Sequence, residues 1–448
     1  MNQGLLTQKA LESIRALDEN KNQKLWTLSS IRLQTALMLC LSMACNGLMR
    51  GSMSLAIVCM VARKLPSFEE IPQNSTSLLV EGKEDSFNRE FQVDWSSEEQ
   101  GHVHTAFYIG AFIAILATDW IIRKMDPRTI LSFALLLNVI GAFLTPFTVI
   151  FLKIHFYVAA LRFMMGFGSG LIAPCGLFII SKWFPITEKS TAVAIFTTGN
   201  QLGVALSMVL TAKLCQLSWG GGWPNAFVLY GFLTLFFVIL WQLRGSSRPR
   251  SSKYITATEL EYITGRRGIK CRAKSVVLDT PWRNILLSKC VFAICVNAFA
   301  QSFVLTEALK MDVDTNGIWC SVPFFIQMVT KMLFGLSADA TKKRGVPATS
   351  VTKAFNVVAT FASGSCIMVA PILANVSPTL SMLSICLAMG LFGAFVPGYN
   401  TAIVCVAPQF TATISSYQQL YSQVGSFLAP FLIGILTTRP ISSICWSH

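Results

Sequence analysis

Residues 161–185 read LRFMMGFGSGLIAPCGLFIISKWFP, an apolar run that carries one full charge, Arg162, near its start. A helix that crosses a bilayer needs about 20 predominantly apolar residues, and this run supplies them. An arginine inside such a helix costs at least roughly 2.5 kcal/mol even on the most permissive insertion scale, so it ordinarily faces a cavity or a partner. Gly166 and Gly170 follow Arg162 at four-residue steps on the same helical face. Small residues at that spacing let a second helix approach closely. One face therefore joins a cation to a glycine groove. Gly166, Gly168 and Gly170 read as packing residues and not as a nucleotide loop, because they lie inside an apolar span and follow no strand. For Arg162, a helix-end charge that snorkels to the surface stands against an anion-binding or pairing role inside a pathway. Lys182 and Trp183 close the run as interfacial anchors do.

The rest of the chain repeats this pattern. Of 448 residues, 53% are hydrophobic and 13% charged, which excludes an ordinary soluble enzyme. The charges gather in tails and loops between long apolar runs. The formal net charge of +14 does not point to nucleic acid, because the basic residues lie between spans, where the positive-inside rule puts them. Most of the thirteen cysteines lie within spans, among them Cys40, Cys175, Cys295, Cys366 and Cys386. They read as small buried residues, not as a disulfide framework or a metal site. No CxxC or HExxH motif, and no nucleophile–base pair, marks an enzyme. The first thirty residues are polar, so the first span is expected to act as its own insertion signal.

In chain order, residues 1–32 form a polar tail, and span 1 (33–61) contains Arg50. A hydrophilic loop, 62–100, carries the N-glycosylation sequon at Asn74. Span 2 (101–122) has His102 and His104 near its start; Arg123, Lys124 and Arg128 follow in a short turn. Span 3 is 129–152, and span 4 is the opening run. Span 5 (191–214) bears the polar line Thr197, Thr198, Asn200 and Gln201; span 6 is 225–243. These spans make a first bundle, 33–243. A basic linker, 244–287, has a short amphipathic helix expected around Thr258–Ile263. Spans 7 to 11 follow at 288–306, 316–338, 350–373, 378–406 and 412–437, a second bundle over 288–437 with a tail at 438–448. Positive turns follow spans 2, 4, 6 and 8, which puts the N-terminus and the linker in the cytoplasm and the 62–100 loop on the other side.

Two blocks of spans about a basic linker indicate duplication. The turns after spans 2 and 8 correspond: the second reads Gly335-Leu336-Ser337-Ala338-Asp339 with Lys342, Lys343 and Arg344, and the first keeps Asp119 before Arg123. Two six-helix halves related by an axis along the membrane normal make the major facilitator architecture, with the substrate site between them near the midplane. The expected fold class is thus an all-α polytopic membrane protein of that architecture. The count is short by one span, since 438–448 is too short and too polar to cross. A splice form or an incomplete chain is expected, with a transport-inactive partner of a full-length carrier as the alternative function.

Several short stretches carry a family resemblance. They are Arg50–Val58 (RGSMSLAIV); Trp95, Gly101, His104, Phe107 and Gly110; Arg162, Gly166, Gly170, Pro174, Ser181-Lys182-Trp183, Pro185 and Glu188; and Gly222-Trp223-Pro224. Later come Glu259–Ile263 (ELEYI), Pro281-Trp282, Ile285, Ser288-Lys289, Gly398, Asn400 and Ala407-Pro408. In this order and spacing the chain resembles solute carrier family 17, which includes type I phosphate cotransporters, sialin and vesicular glutamate transporters. The resemblance spans about Leu33–Leu436. It implies secondary active transport of a small anion, driven by a sodium or proton gradient or by membrane potential, with no cofactor beyond that ion. It implies anion recognition by Arg50 and Arg162 and coupling through His104. Guanidinium groups are fixed, always-charged forks suited to carboxylate or phosphate, and a histidine titrates near physiological pH.

Gln201, Gln301 and Asn400, with Asn200, are expected to supply neutral hydrogen bonds. Asp119, Arg123, Asp339, Lys342 and Arg344 are expected to form the cytoplasmic turns that gate the pathway. Where glutamate- and sialic-acid-carrying relatives have a glutamate in span 4, this chain has Ser169; Gln301 stands at a span 7 arginine and Cys405 at an acid after span 10. These departures favour phosphate or a small organic anion over glutamate. Lys331 and Glu307 are expected near helix ends. The lipid bilayer is the surrounding partner and a monomer is expected, in a plasma, lysosomal or vesicular membrane.

Overall fold

The computed structural model describes residues 30–61, 93–216, 222–265, 283, 285, 287–308, 317–374 and 377–438. Among them run eleven long helical segments. Spans 1 to 6 are Ile31–Met60, Ser97–Lys124, Pro127–Phe147, His155–Trp183, Lys189–Cys215 and Trp223–Arg244. Spans 7 and 8 are Lys289–Ala308 and Gly317–Lys343, and span 11 is Thr411–Thr438. Spans 9 and 10 are interrupted. Span 9 is Ala348–Val357 and Ser363–Ala374 joined by a π turn; span 10 runs from Pro378 to Val406 with irregular turns over 393–400. The sequon at Asn74 and the tail after Thr438, where the twelfth span was in question, lie outside the described residues.

Local chemistry sets the helix starts. Ser96 and Glu99 form a reciprocal capping box at the head of span 2, satisfying amide groups that have no partner in the first turn. Pro127, Pro224 and Pro378 open spans 3, 6 and 10, where a proline lacks only an N–H that the helix does not use.

Packing within the first half runs through glycines. A Cβ on Gly166 would strike the Phe107 carbonyl, and one on Gly170 would meet that of Ala111, so spans 4 and 2 touch backbone to backbone. Spans 1 and 5 do the same, with Gly199 against Cys40, Gly203 against Ala44 and Gly47 against Asn200. Close approach of this kind substitutes for the hydrophobic drive that a lipid surround does not provide. Large apolar side chains such as Trp120, Phe156, Phe236 and Met368 point outward, as a lipid-facing surface requires. Span 7 packs on span 11 and span 8 on span 10, repeating the 1–5 and 2–4 pairings. Across the halves, span 5 meets span 8 and span 2 meets span 11.

Two readings of the sequence are corrected. Trp183 is not an interfacial anchor: it is 1% exposed and its indole N–H donates to the Ser246 carbonyl at 3.0 Å. The chain turns back over span 4 after span 6 and covers it. The cysteines are not all isolated thiols either. Cys59, near the end of span 1, and Cys215, the last residue of span 5, form a disulfide. The linker folds a helix over Ala257–Gly265 that buries Glu259, Tyr262 and Ile263. Glu259 and Glu188 both bind Arg32, at 2.9 and 2.7 Å, and the Tyr262 hydroxyl donates to Glu188 at 2.9 Å. This buried cluster stitches the linker to span 1 and to the turn between spans 4 and 5.

Candidate functional site

Between the halves lies a cavity of about 490 Å³. From the first half, Arg50 and Ser54 of span 1, His104 and Tyr108 of span 2, Arg162 of span 4, and Asn200 and Gln201 of span 5 line it. From the second half come Phe324 and Gln327 of span 8, with Met389, Phe392, Phe395 and Tyr399 of span 10. No carboxylate lines the cavity among the described residues.

Arg50 is exposed to this space and lies over the Tyr108 ring, its guanidinium carbon 5.5 Å from the centroid. Arg162 is only 2% exposed. Its Nη1 donates to the Met49 carbonyl at 3.3 Å, while Nε and Nη2 are buried with no hydrogen-bond partner. The guanidinium carbon is 5.8 Å from the centre of Phe227. Burying a charge without satisfying its donors is costly, and these donors sit at the edge of a cavity. The Gln201 side-chain oxygen is likewise buried and unpartnered. Two arginines and a histidine with no facing acid, walled by aromatic rings, make a low-dielectric positive site. Such a site favours a small anion.

Ser169, at the position of a family glutamate, donates to Asn46 at 2.7 Å. The serine thus ties span 4 to span 1 and offers Arg162 no countercharge. Gln301 falls in span 7, where its side chain lies outside the described residues. Asn400 does not line the cavity; its neighbour Tyr399 does. Span 10 leaves helical geometry at Gly398 (ψ −122°), and the Asn356 side chain accepts the freed Tyr399 N–H at 2.9 Å. Met389, Phe392, Phe395 and Tyr399 recur at three- and four-residue steps, so one helical stripe reaches the cavity and Asn400 falls beside it. Tyr108 was legible in principle, being four residues after His104 on one face. Lys331 is not at a helix end. It is mid-helix in span 8, 1% exposed, with its ammonium 4.8 Å from the centre of Phe395. Glu307 is next to the last residue of span 7. His102 is exposed and faces His155, not the cavity.

The basic ends of the halves are held together. Asp339, at the end of span 8, accepts from the Thr191 N–H and hydroxyl, both at 2.7 Å, and from the Ser190 N–H at 3.3 Å. Lys342 braces it, donating to Asp339 at 3.1 Å and to Ser190 at 2.5 Å. In the other half, Asp119 pairs with Arg123 at 2.8 Å and accepts from the Thr413 hydroxyl. Each aspartate therefore meets the first turn of a helix from the opposite half, where the partial positive charge of the helix terminus lies. Arg344 is exposed and takes no part in these bonds among the described residues. Lys189 donates to the Val404 carbonyl at 3.0 Å and Ser181 to that of Pro408 at 3.2 Å, adding two more crossings.

Comparisons with known proteins agree with this geometry. The family model of the Major Facilitator Superfamily matches residues 39–430. The transporter slc-17.3 of Caenorhabditis elegans is 30% identical over 356 residues, 76% of this chain and 66% of its own length. A Drosophila melanogaster protein named as an inorganic phosphate cotransporter is 26% identical, over 95% of this chain and 82% of that one. Bovine (Bos taurus) vesicular glutamate transporter 1 is 23% identical, over 77% of this chain and 63% of that one. This chain thus spans just under two thirds of the first and third of these relatives. Among solved structures, the E. coli proton:xylose symporter XylE superposes with a TM-score of 0.64 at 13% identity, over 91% of this chain and 90% of that one. The E. coli fucose:proton symporter FucP gives 0.56 at 13% identity, over 91% and 93%.

Proposed function

The chain belongs to the Major Facilitator Superfamily, in the company of solute carrier family 17, and is a multi-pass membrane transporter rather than an enzyme; from that premise we propose that it carries inorganic phosphate or a small organic anion by alternating access, coupled to a sodium or proton gradient or to membrane potential. The observation that carries the reading is Arg162, a buried guanidinium with two unsatisfied donors at the wall of a cavity that no acid lines among the described residues. A carboxylate or phosphate oxygen is the partner those donors lack. Arg50, the residue after Met49 and facing the same space, supplies a second charge. His104 is the group through which a proton is coupled, since it shares the cavity with both arginines. Relatives named for phosphate and for glutamate agree with an anionic substrate, and the absence of an acid at Ser169 favours phosphate or another small anion.

The basic ends are cytoplasmic, so the latched state is the one in which the cavity communicates with the opposite side. Anion binding between the halves then favours their closure, and release of the Asp339 and Asp119 caps opens the cytoplasmic side. The test is uptake of labelled phosphate, urate, sialate and glutamate by cells expressing the chain, with and without sodium and at two pH values. Arg162→Ala at matched surface level is the control. Uptake of one anion that this change abolishes supports the reading. No uptake at verified surface expression rejects it.

A further inference from the structure

Both cavity arginines come from the first half. The second half offers the cavity neutral groups, the Gln327 amide and the Tyr399 hydroxyl, among its aromatic walls. One turn beyond Gln327 on span 8, however, lies Lys331, 1% exposed and without an ion pair or hydrogen bond among the described residues. Its ammonium rests over the ring of Phe395, which itself lines the cavity and stacks 5.7 Å from Tyr399. A cation over an aromatic face recovers only part of the hydration it has lost. A buried, unpaired ammonium one residue layer from an anion-sized cavity is therefore a site short of its anion.

The backbone around it is built to shift. Phe395 and Tyr399 belong to the irregular turns of span 10, and a Cβ on Gly393 would meet the Thr330 hydroxyl and the Lys331 amide. Span 10 is thus pressed on span 8 at Lys331, through a segment whose helical hydrogen bonds are already broken at Gly398. Resting on the anion-carrier reading above, we propose that Lys331 is the second half's anion ligand, reached only when the halves close on the substrate and Phe395 moves aside. A ligand shifts a conformational equilibrium only by binding one state better than the other. Contacts to Arg50 and Arg162 alone exist before closure and do not drive it. A contact to Lys331 that forms on closure does.

The test uses the full chain, purified and reconstituted in vesicles, with phosphate, urate, sialate and glutamate as probes. Lys331→Met keeps the stem and removes the charge; Lys331→Arg keeps the charge. Lys331→Met is expected to melt, without anion, no lower than the parent chain. It is expected to hold KM within about threefold while its maximal uptake rate falls about tenfold or more, the scale of one charged hydrogen bond; Lys331→Arg restores part of the rate. An unchanged maximal rate in Lys331→Met, with Arg162→Ala inactive, overturns the role of Lys331 and leaves the carrier reading standing. A lower melting temperature, or failure to fold, makes Lys331 structural and also overturns it. No uptake of any probe by the parent chain overturns both.

Discussion

The carboxylate of Asp339 caps the helix that begins beside Thr191, taking both the amide and the hydroxyl of that residue at 2.7 Å across the boundary between the halves. A charged acceptor at a helix N-terminus gains from the hydrogen bonds and from the helix dipole together. Because the two partners lie in different halves, the proposed rocking of the halves would make this bond a clamp on the transport cycle as well as a stabilising contact. Asp339→Asn removes the charge and is expected to cost about 1.5–3 kcal/mol of clamp free energy, a shift of tenfold or more toward the state open at the basic end. Cys405 reports it, since this free, half-buried thiol lines a second cavity between the halves at that end. In a chain with the other reactive cysteines replaced, Asp339→Asn should speed its labelling by a charged maleimide from the basic side about tenfold. An unchanged rate would show that the clamp does not hold the state.

Arg162 distinguishes charge from geometry. Its Nη1 is already committed to the Met49 carbonyl, and Nε and Nη2 remain for a ligand. Arg162→Lys keeps a positive charge but cannot hold Met49 and present a planar pair of donors together. Uptake per surface copy should fall about tenfold or more in Arg162→Lys, the cost of one charge-assisted hydrogen bond. If lysine works as well as arginine, the site reads charge alone.

These residues show what was legible beforehand. Arg162 and the glycines four and eight residues on share a face by simple helical spacing, and the structure puts that face against spans 1 and 2. Asp119 and Asp339 were readable as equivalent because duplication preserves a turn better than a surface. The misreadings have local causes. Asn400 falls beside the stripe through Phe392, Phe395 and Tyr399 that reaches the cavity. Lys331 looks like a helix-end lysine until span 8 proves to run on to Lys343. Trp183 was placed at an interface because the segment that covers it returns through Ser246, sixty-three residues later. Contacts between distant segments leave no periodicity to read.

Arg32 is the keystone of the buried cluster at the basic end. It is 1% exposed, binds Glu188 and Glu259, and lies 4.4 Å from the centre of the Tyr262 ring. Arg32→Ala strands two buried carboxylates, and breaking a buried pair in this way costs about 3–5 kcal/mol. The linker helix over Ala257–Gly265 is expected to undock. Limited trypsin digestion should then cut the linker at least about a hundredfold faster, as expected for local opening governed by that free energy. Cleavage at the parental rate would mean that Tyr262 and Ile263 dock the helix without the ion pairs.

The Cys59–Cys215 disulfide lies at the ends of spans 1 and 5, opposite the basic end, and spans a sequence separation of 156 residues. Both spans belong to the first half, so the bond does not join the moving bodies and should not restrain their rocking. Its effect is expected on stability alone: a native disulfide typically contributes about 2–4 kcal/mol. Cys59→Ser should therefore lower the melting temperature of the purified chain while leaving KM and ion dependence unchanged at 25 °C. The same bond also tests the orientation. Disulfides persist on the oxidising side of a membrane, which the charge pattern expects to be the side opposite the basic turns. In intact cells carrying the chain at their surface, a membrane-impermeant phosphine should free both thiols, and mass spectrometry of the Cys59 and Cys215 peptides reads the result. Thiols already free without reductant would reverse the orientation that the charges set. A loss of uptake in Cys59→Ser without any fall in melting temperature would place the tether within the transport cycle instead.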